Sequence, residues 1–173
     1  MNLLFEEYVK TNKAAFIDKV KSISTKLLID PDWLMAVMWK ESRLNEKAVN
    51  PKGGATGLIQ FMPATAQSLG TTTAALKAMS NVQQLDYVYK YYKPYITKLN
   101  SYPDLYLATF FPAALGKADD YILQTSKLSA AAIADANPGI DLNKDRKITV
   151  GEFKRYCFEQ FSTATQNRLK KKV

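Results

Sequence analysis

Histidine is absent from this chain, and cysteine occurs once, at position 157. Without histidine, Ser-His-Asp and Cys-His nucleophilic machinery cannot be assembled, and the common zinc sites lose their usual ligand. A lone cysteine forms no intramolecular disulfide framework and assigns no redox compartment. No apolar run approaches the roughly 20 residues needed to span a bilayer, so membrane insertion is not expected. The first residues, Met1-Asn2-Leu3-Leu4-Phe5-Glu6-Glu7, show neither a basic n-region nor a long apolar stretch, so no signal peptide is expected. No internal repeat and no low-complexity linker breaks the chain. Any acid-base chemistry must therefore rest on carboxylates.

What remains is a chain of 173 residues, 47% hydrophobic, long enough to bury a core and most simply one domain over 1–173. Its net charge of +8 favours an anionic partner: nucleic acid, a membrane surface or a cell-wall polymer. Part of that charge lies in Arg168-Leu169-Lys170-Lys171-Lys172, which reads as a solvated end. Nucleic acid has only this charge in its favour and is not expected as a partner.

The patterning is mostly helical. Thr11 or Asn12 is placed to cap a helix running to about Ile29, with Phe16, Val20, Ile23 and Leu27 on one face. Asp30-Pro31 marks a restart, Asp30 accepting orphan amide hydrogen bonds and Pro31 suiting the first helical position. The next helix, about 31–43, carries Leu34, Val37, Met38 and Glu41 at i, i+3, i+4, i+7, which puts an acid on an apolar stripe. Residues 44–57 hold Asn45, Asn50, Pro51, Gly53, Gly54 and Gly57 and read as a loop, with Glu46 on its exposed part. A short helix follows from Pro63 to about Leu69. Ser80 and Gln83 form a capping box for a helix through Tyr92, ended or kinked by Pro94. Another helix starts near Pro103 and carries Leu105, Leu107 and Ala108. Residues 117–136 are alanine-rich and weakly patterned, and a final helix begins near Thr149 with Phe153, Tyr156, Cys157 and Phe161.

Glu41-Ser42, at the end of an apolar helix and followed by Gly57-Leu58-Ile59-Gln60-Phe61-Met62-Pro63, sets one carboxylic acid beside a turn open to a polymeric ligand. Glycosidic cleavage needs a proton delivered to a poor leaving-group oxygen, and desolvation is what keeps a carboxyl protonated near neutral pH. Most glycosidases add a second carboxylate as nucleophile or base. None obvious accompanies Glu41. The plain alternative for Glu41 is a helix-end acid paired with Arg43 or Lys40.

These two motifs, in this order and spacing, resemble those of the soluble lytic transglycosylases, a lysozyme-like family acting on peptidoglycan, over roughly residues 28–116. The resemblance implies Glu41 as the catalytic acid and explains how one acid suffices. The N-acetyl group of the substrate assists departure of the leaving group. The same glutamate then deprotonates the muramic acid 6-hydroxyl to close a 1,6-anhydro ring. It implies that Ser42 contacts the glycan or orients the acid, that Gly57 permits backbone approach, and that Gln60 lines the cleft; Met62 is a further candidate contact. The family's third motif, Ala-Tyr-Asn-Ala-Gly, supplies a tyrosine hydroxyl to the glutamate. Here the corresponding stretch is Ala108-Thr109-Phe110-Phe111-Pro112-Ala113-Ala114, and neither phenylalanine donates a hydrogen bond. Tyr106 and Tyr102 are the nearest substitutes. Tyr87, Tyr91 and Tyr95, with Tyr89 and Tyr92 beside them, read chiefly as a packing face with wet hydroxyls, one or two of them edging the cleft.

A second pattern runs from Asp141 to Glu152 and fits an EF-hand loop: Asp141, Asn143, Asp145, the Lys147 carbonyl, Thr149 through water and bidentate Glu152 would supply oxygens to Ca2+. Arg146 stands where glycine usually makes the sharp turn. The alternative is a degenerate loop that caps the last helix without metal.

The expectation is an all-α, lysozyme-like transglycosylase domain with a C-terminal EF-hand-like segment at 137–162. It would be a monomer with structural Ca2+, cutting the MurNAc-GlcNAc β-1,4 bond of peptidoglycan. The alternatives are a hydrolytic muramidase of the same fold and an inactive wall-binding virion module. Action would be in the bacterial cell wall or periplasm, with the protein phage-encoded, virion-associated or exported by a non-classical route.

Overall fold

A computed structural model describes residues 2–171, and among them the regular structure is helical, with isolated bridges but no strand. None of the described helices is long and apolar enough to cross a membrane. The described chain clusters into two compact units, one up to Thr97 together with Lys171, the other Lys98–Lys170.

The first unit holds α1 (Lys13–Leu27), α2 (Pro31–Ser42), α3 (Pro63–Ser68), α4 (Thr73–Ala78) and α5 (Asn81–Tyr92). The apolar stripe of α1 is buried as its spacing requires: Phe16, Val20 and Leu27 are wholly enclosed. It packs against both α2 and α5. The expected cap at Asn12 is not made, because Asn12 is left-handed with no capping bond. Its amide donates instead to Asn81 Oδ1 (3.2 Å), while Asn81 returns a bond to the Thr11 carbonyl (2.7 Å). The helix ends two residues earlier than the pattern suggested, closed by a left-handed Leu28 and a bond from the Ile29 amide to the Ser24 carbonyl.

Asp30 then accepts the Asp32 amide (2.8 Å) and Pro31 begins α2, as the sequence predicts. Helix α2 is enclosed on almost every side, from Trp33 through Met38. Such a helix is a central strut, and its last turn delivers Glu41 and Ser42. The Ser80/Gln83 capping box starts α5 as expected, and after Tyr92 the chain tightens into a 3₁₀ segment from Lys93 that contains Pro94.

The second unit holds α6 (Tyr102–Phe110), a 3₁₀ turn (Pro112–Ala114), α7 (Ala130–Ala136), α8 (Val150–Glu159) and α9 (Thr163–Leu169). Ser101, Ser129, Thr149 and Ser162 each cap the helix that follows by accepting a backbone N–H. Helix α6 packs on α8 through aromatic rings. Phe110 stacks on Phe153 at 5.2 Å, Tyr106 meets Phe153 edgewise at 5.5 Å, and Tyr102 touches Phe158 and Phe161. Phe153 is fully buried at the centre of this cluster. Replacing it with alanine is expected to cost about 3–5 kcal/mol in urea unfolding of the whole chain. A loss below about 1 kcal/mol would show that the cluster does not hold the unit together.

Candidate active site

Glu41 lies on the last turn of α2, half-buried, between the partly exposed Lys40 and the buried Ser42. The chain leaves the helix through two consecutive left-handed residues, Arg43 (φ 56) and Leu44 (φ 59). Left-handed backbone costs a side-chain-bearing residue on the order of 1 kcal/mol, so a pair of them is held in place by its surroundings. The Arg43 amide bonds back to Trp39 O (3.0 Å) and the Leu44 amide to Met38 O (3.3 Å). The Arg43 guanidinium is engaged with Trp39, donating to its carbonyl at 3.1 Å and lying 4.8 Å over its ring. Phe5 stacks on Trp39 at 5.0 Å and Tyr8 tilts against it at 4.3 Å.

Ser42 is buried, and its hydroxyl donates to the Leu58 carbonyl at 2.9 Å, with the Met38 carbonyl at 3.1 Å sharing the proton. Its work is to tie the end of α2 to the 57–63 turn. That segment is no plain loop. Asn50 N–Ala55 O (2.8 Å), Gly57 N–Ala48 O (2.9 Å) and the paired Thr56–Phe61 bonds (3.0 and 2.9 Å) fold residues 48–61 into linked antiparallel bridges. Glu46 is half-buried rather than exposed.

Gly57 has φ +85, and a Cβ there would stand 2.5 Å from Gln84 Oε1. The group that approaches the glycine backbone is thus the amide of Gln84, a wholly buried residue of α5. Its Oε1 accepts the Leu58 amide (3.0 Å), and its Nε2 donates to Glu46 O and Leu76 O, both at 2.7 Å. Gln60, also left-handed (φ 55), turns its side chain onto its own loop, donating to Gly57 O (3.1 Å) and Ala48 O (3.3 Å). Met62 keeps half its surface open, whereas Phe61 is buried.

Tyr91 completes the group. Its ring meets Phe61 edgewise at 6.4 Å and Tyr95 at 6.0 Å. Burial pushes its phenol above the ordinary tyrosine range, and Tyr95 and then Glu41 add to the shift. It is therefore a neutral hydroxyl throughout the neutral range, and Glu41 lies close enough for its negative charge to disfavour the phenolate. The tyrosine spacing on α5 pointed to a mixed face, and the structure sorts it: Tyr92 is core, Tyr87 and Tyr89 lie under Lys90 and Lys26, and Tyr91 faces the acid's surroundings. Gln84 escaped the sequence reading altogether, since nothing local marks a buried glutamine as a hub. Tyr106 belongs to the second unit and is nearly buried in the aromatic cluster described above.

Gly57→Ala is expected to lose more than about 2 kcal/mol of stability, from the left-handed backbone and the overlap with Gln84. Gln84→Ala alone strands three backbone groups and is expected to cost about 3 kcal/mol or more. In the double variant the overlap is gone, so urea titrations of the four proteins should show a combined cost below the sum of the two. Strict additivity would mean that the two residues do not meet. Over residues 18–102, just under half the chain, the sequence matches the family model of the transglycosylase SLT domain. The match begins within α1 and takes in α2, the 57–63 turn and α5, but ends before the 108–114 stretch. It supports the lytic transglycosylase, lysozyme-like family for the segment that carries Glu41.

Proposed function

We propose that this protein is a lytic transglycosylase that cuts the MurNAc-GlcNAc β-1,4 bond of peptidoglycan, with Glu41 as acid and then base. The observation that carries the reading is the position of Glu41. It stands at the exit of a buried helix, joined through Ser42 to the turn of the second motif, inside the segment that matches the SLT domain.

In the proposed reaction the carboxyl of Glu41 gives its proton to the bridging oxygen as the C1–O bond breaks. The N-acetyl oxygen supports the electron-poor anomeric carbon. The Glu41 carboxylate then removes the proton of the 6-hydroxyl as O6 bonds to C1, which restores the acid and closes the 1,6-anhydro ring. No water is consumed and no cofactor is needed for this chemistry. Tyr91 acts as the positioning residue that the altered third motif no longer provides. Its neutral hydroxyl steadies the carboxyl in both protonation states, which the proximity of the two groups supports. Ser42 and Gly57 act through the turn, Gln60 holds its shape, and Met62 is the contact best exposed to a glycan. Tyr106 is assigned to the packing of its own unit. The protein would act on the cell wall.

Purified sacculi digested with the protein should release muropeptides ending in 1,6-anhydroMurNAc, lighter by one water than hydrolytic products in mass spectrometry. Glu41→Gln should abolish release while remaining folded. Tyr91→Phe should lower kcat by roughly tenfold to a hundredfold with little change in KM, as for a hydrogen bond strengthened in the transition state. Reducing-end products would mean a muramidase, and binding to sacculi without release would mean an inactive wall-binding module.

A further inference from the structure

The loop between α7 and α8 contains a buried charge that the protein itself does not satisfy. Asp141 is only 8% exposed. Its Oδ2 accepts the Arg146 amide at 3.0 Å, while its Oδ1 is buried with no hydrogen-bond partner. A half-partnered buried carboxylate is costly, and it persists where a cation or another donor completes it.

The rest of the loop is also wound on side-chain oxygens. Glu152, 4% exposed, takes the Thr149 amide and hydroxyl on Oε2, both at 2.9 Å. Its other oxygen, Oε1, receives only a long 3.4 Å bond from the Asn143 amide. Asn143 Oδ1 accepts the Asp145 amide (3.0 Å) and Asp145 Oδ1 the Lys147 amide (2.9 Å), so the turns are wound on side-chain oxygens. Outside, the loop is pinned. Ile148 is fully buried, its carbonyl accepts the Leu123 amide (2.8 Å), and the Val150 amide donates to Tyr121 O (3.0 Å).

Arg146 answers the objection that its position calls for glycine. It adopts the left-handed backbone (φ 63). Its guanidinium reaches Asp135 on α7 in a two-pronged pair at 2.6 and 3.1 Å. Its charge is thereby neutralised at the loop exterior. Among the described residues no three carboxylates, histidines or cysteines converge as a metal-holding group. Asp145 and Asn143 are exposed and bonded to each other at 3.2 Å, so loading would require them to turn inward. The donors are all hard oxygens and their three carboxylates would neutralise a divalent cation, which suits Ca2+ with its six to eight ligands at adaptable angles better than Mg2+.

We propose that Asp141–Glu152 binds one Ca2+, with Asp141 Oδ1 and Glu152 Oε1 as the preset ligands. Asn143, Asp145, the Lys147 carbonyl and Thr149 (through water) complete the shell. The ion ties α7 to α8 and so fixes the 98–170 unit; the inference does not depend on the glycan-cleaving reading. Thermal unfolding of the full chain is the test, in millimolar Ca2+, in Mg2+ and in EDTA. Wild type should gain about 5 °C or more in Ca2+ over EDTA, and less in Mg2+. Asp141→Asn removes the stranded charge while keeping an acceptor for Arg146. It should be at least as stable as wild type in EDTA, yet gain nothing from Ca2+. Glu152→Gln should also lose the gain. The inference is overturned if wild type melts alike in Ca2+ and EDTA, if Mg2+ serves equally, or if Asp141→Asn still responds to Ca2+.

Discussion

The side-chain amide of Gln84 is the constraint from which the geometry around Glu41 follows. One buried group, with two hydrogen-bonding ends, satisfies the Leu58 amide, the Glu46 carbonyl and the Leu76 carbonyl. These lie on three separate pieces of chain: the 57–63 turn, the loop after α2 and the end of α4. Leu58 then passes the constraint on, because its carbonyl, on the next peptide group, accepts the Ser42 hydroxyl. From α5 through one residue to the last turn of α2, a line of hydrogen bonds ends beside Glu41. In a low-dielectric interior, each unmade bond of this line would leave a buried polar group unpaired.

This line explains why the chain tolerates strained backbone at this place. Arg43, Leu44 and Gln60 are all left-handed without being glycine. At on the order of 1 kcal/mol each, they are sustained by bonds that no relaxed conformation would keep: Arg43 and Leu44 to the end of α2, Gln60 to the carbonyls of Gly57 and Ala48. The buried strut of α2 fixes one side of the site and Gln84 the other. Strain concentrated beside a candidate acid, with its supports traceable, is what a pre-organised site requires.

The sequence made the local features legible. Asp30-Pro31 and the Ser80/Gln83 box are signals within four residues, and each starts a helix where expected. Helix α8 also begins near Thr149, where the structure adds a capping box between Thr149 and Glu152 that the sequence reading did not name. Glu41 on an apolar stripe was legible for the same reason, since helical periodicity is local. What failed was long-range. Asn12 looked like a cap, but Asn81, far along the chain, takes its amide instead. Gly57 looked open to a ligand, but Gln84 fills the space. Tyr91 was one tyrosine in a band of five, and only the packing of α5 distinguishes it. Helices α4 and α9 were missed because each is six or seven residues long with one buried side chain, Leu76 or Leu169, too little to set a period.

Helix ends also explain why the two carboxylate sites are built differently. Glu152 occupies the first turn of α8, where free backbone N–H groups and the positive end of the helix dipole favour an anion. Its partners come from its own segment, and a sequence pattern suffices to find them. Glu41 occupies the last turn of α2, where the backbone presents carbonyls, the wrong partners for a carboxylate. The surroundings of an acid placed there are set by side chains from elsewhere. Helix α5 contributes from one face: Gln84 and Tyr91 are seven residues apart, two helical turns, so the amide that fixes the turn and the phenol near the acid rise and fall together. A change that rotated or shifted α5 would therefore disturb both the support and the electrostatic setting of Glu41 at once, even though neither residue belongs to the motifs by which the site is recognised.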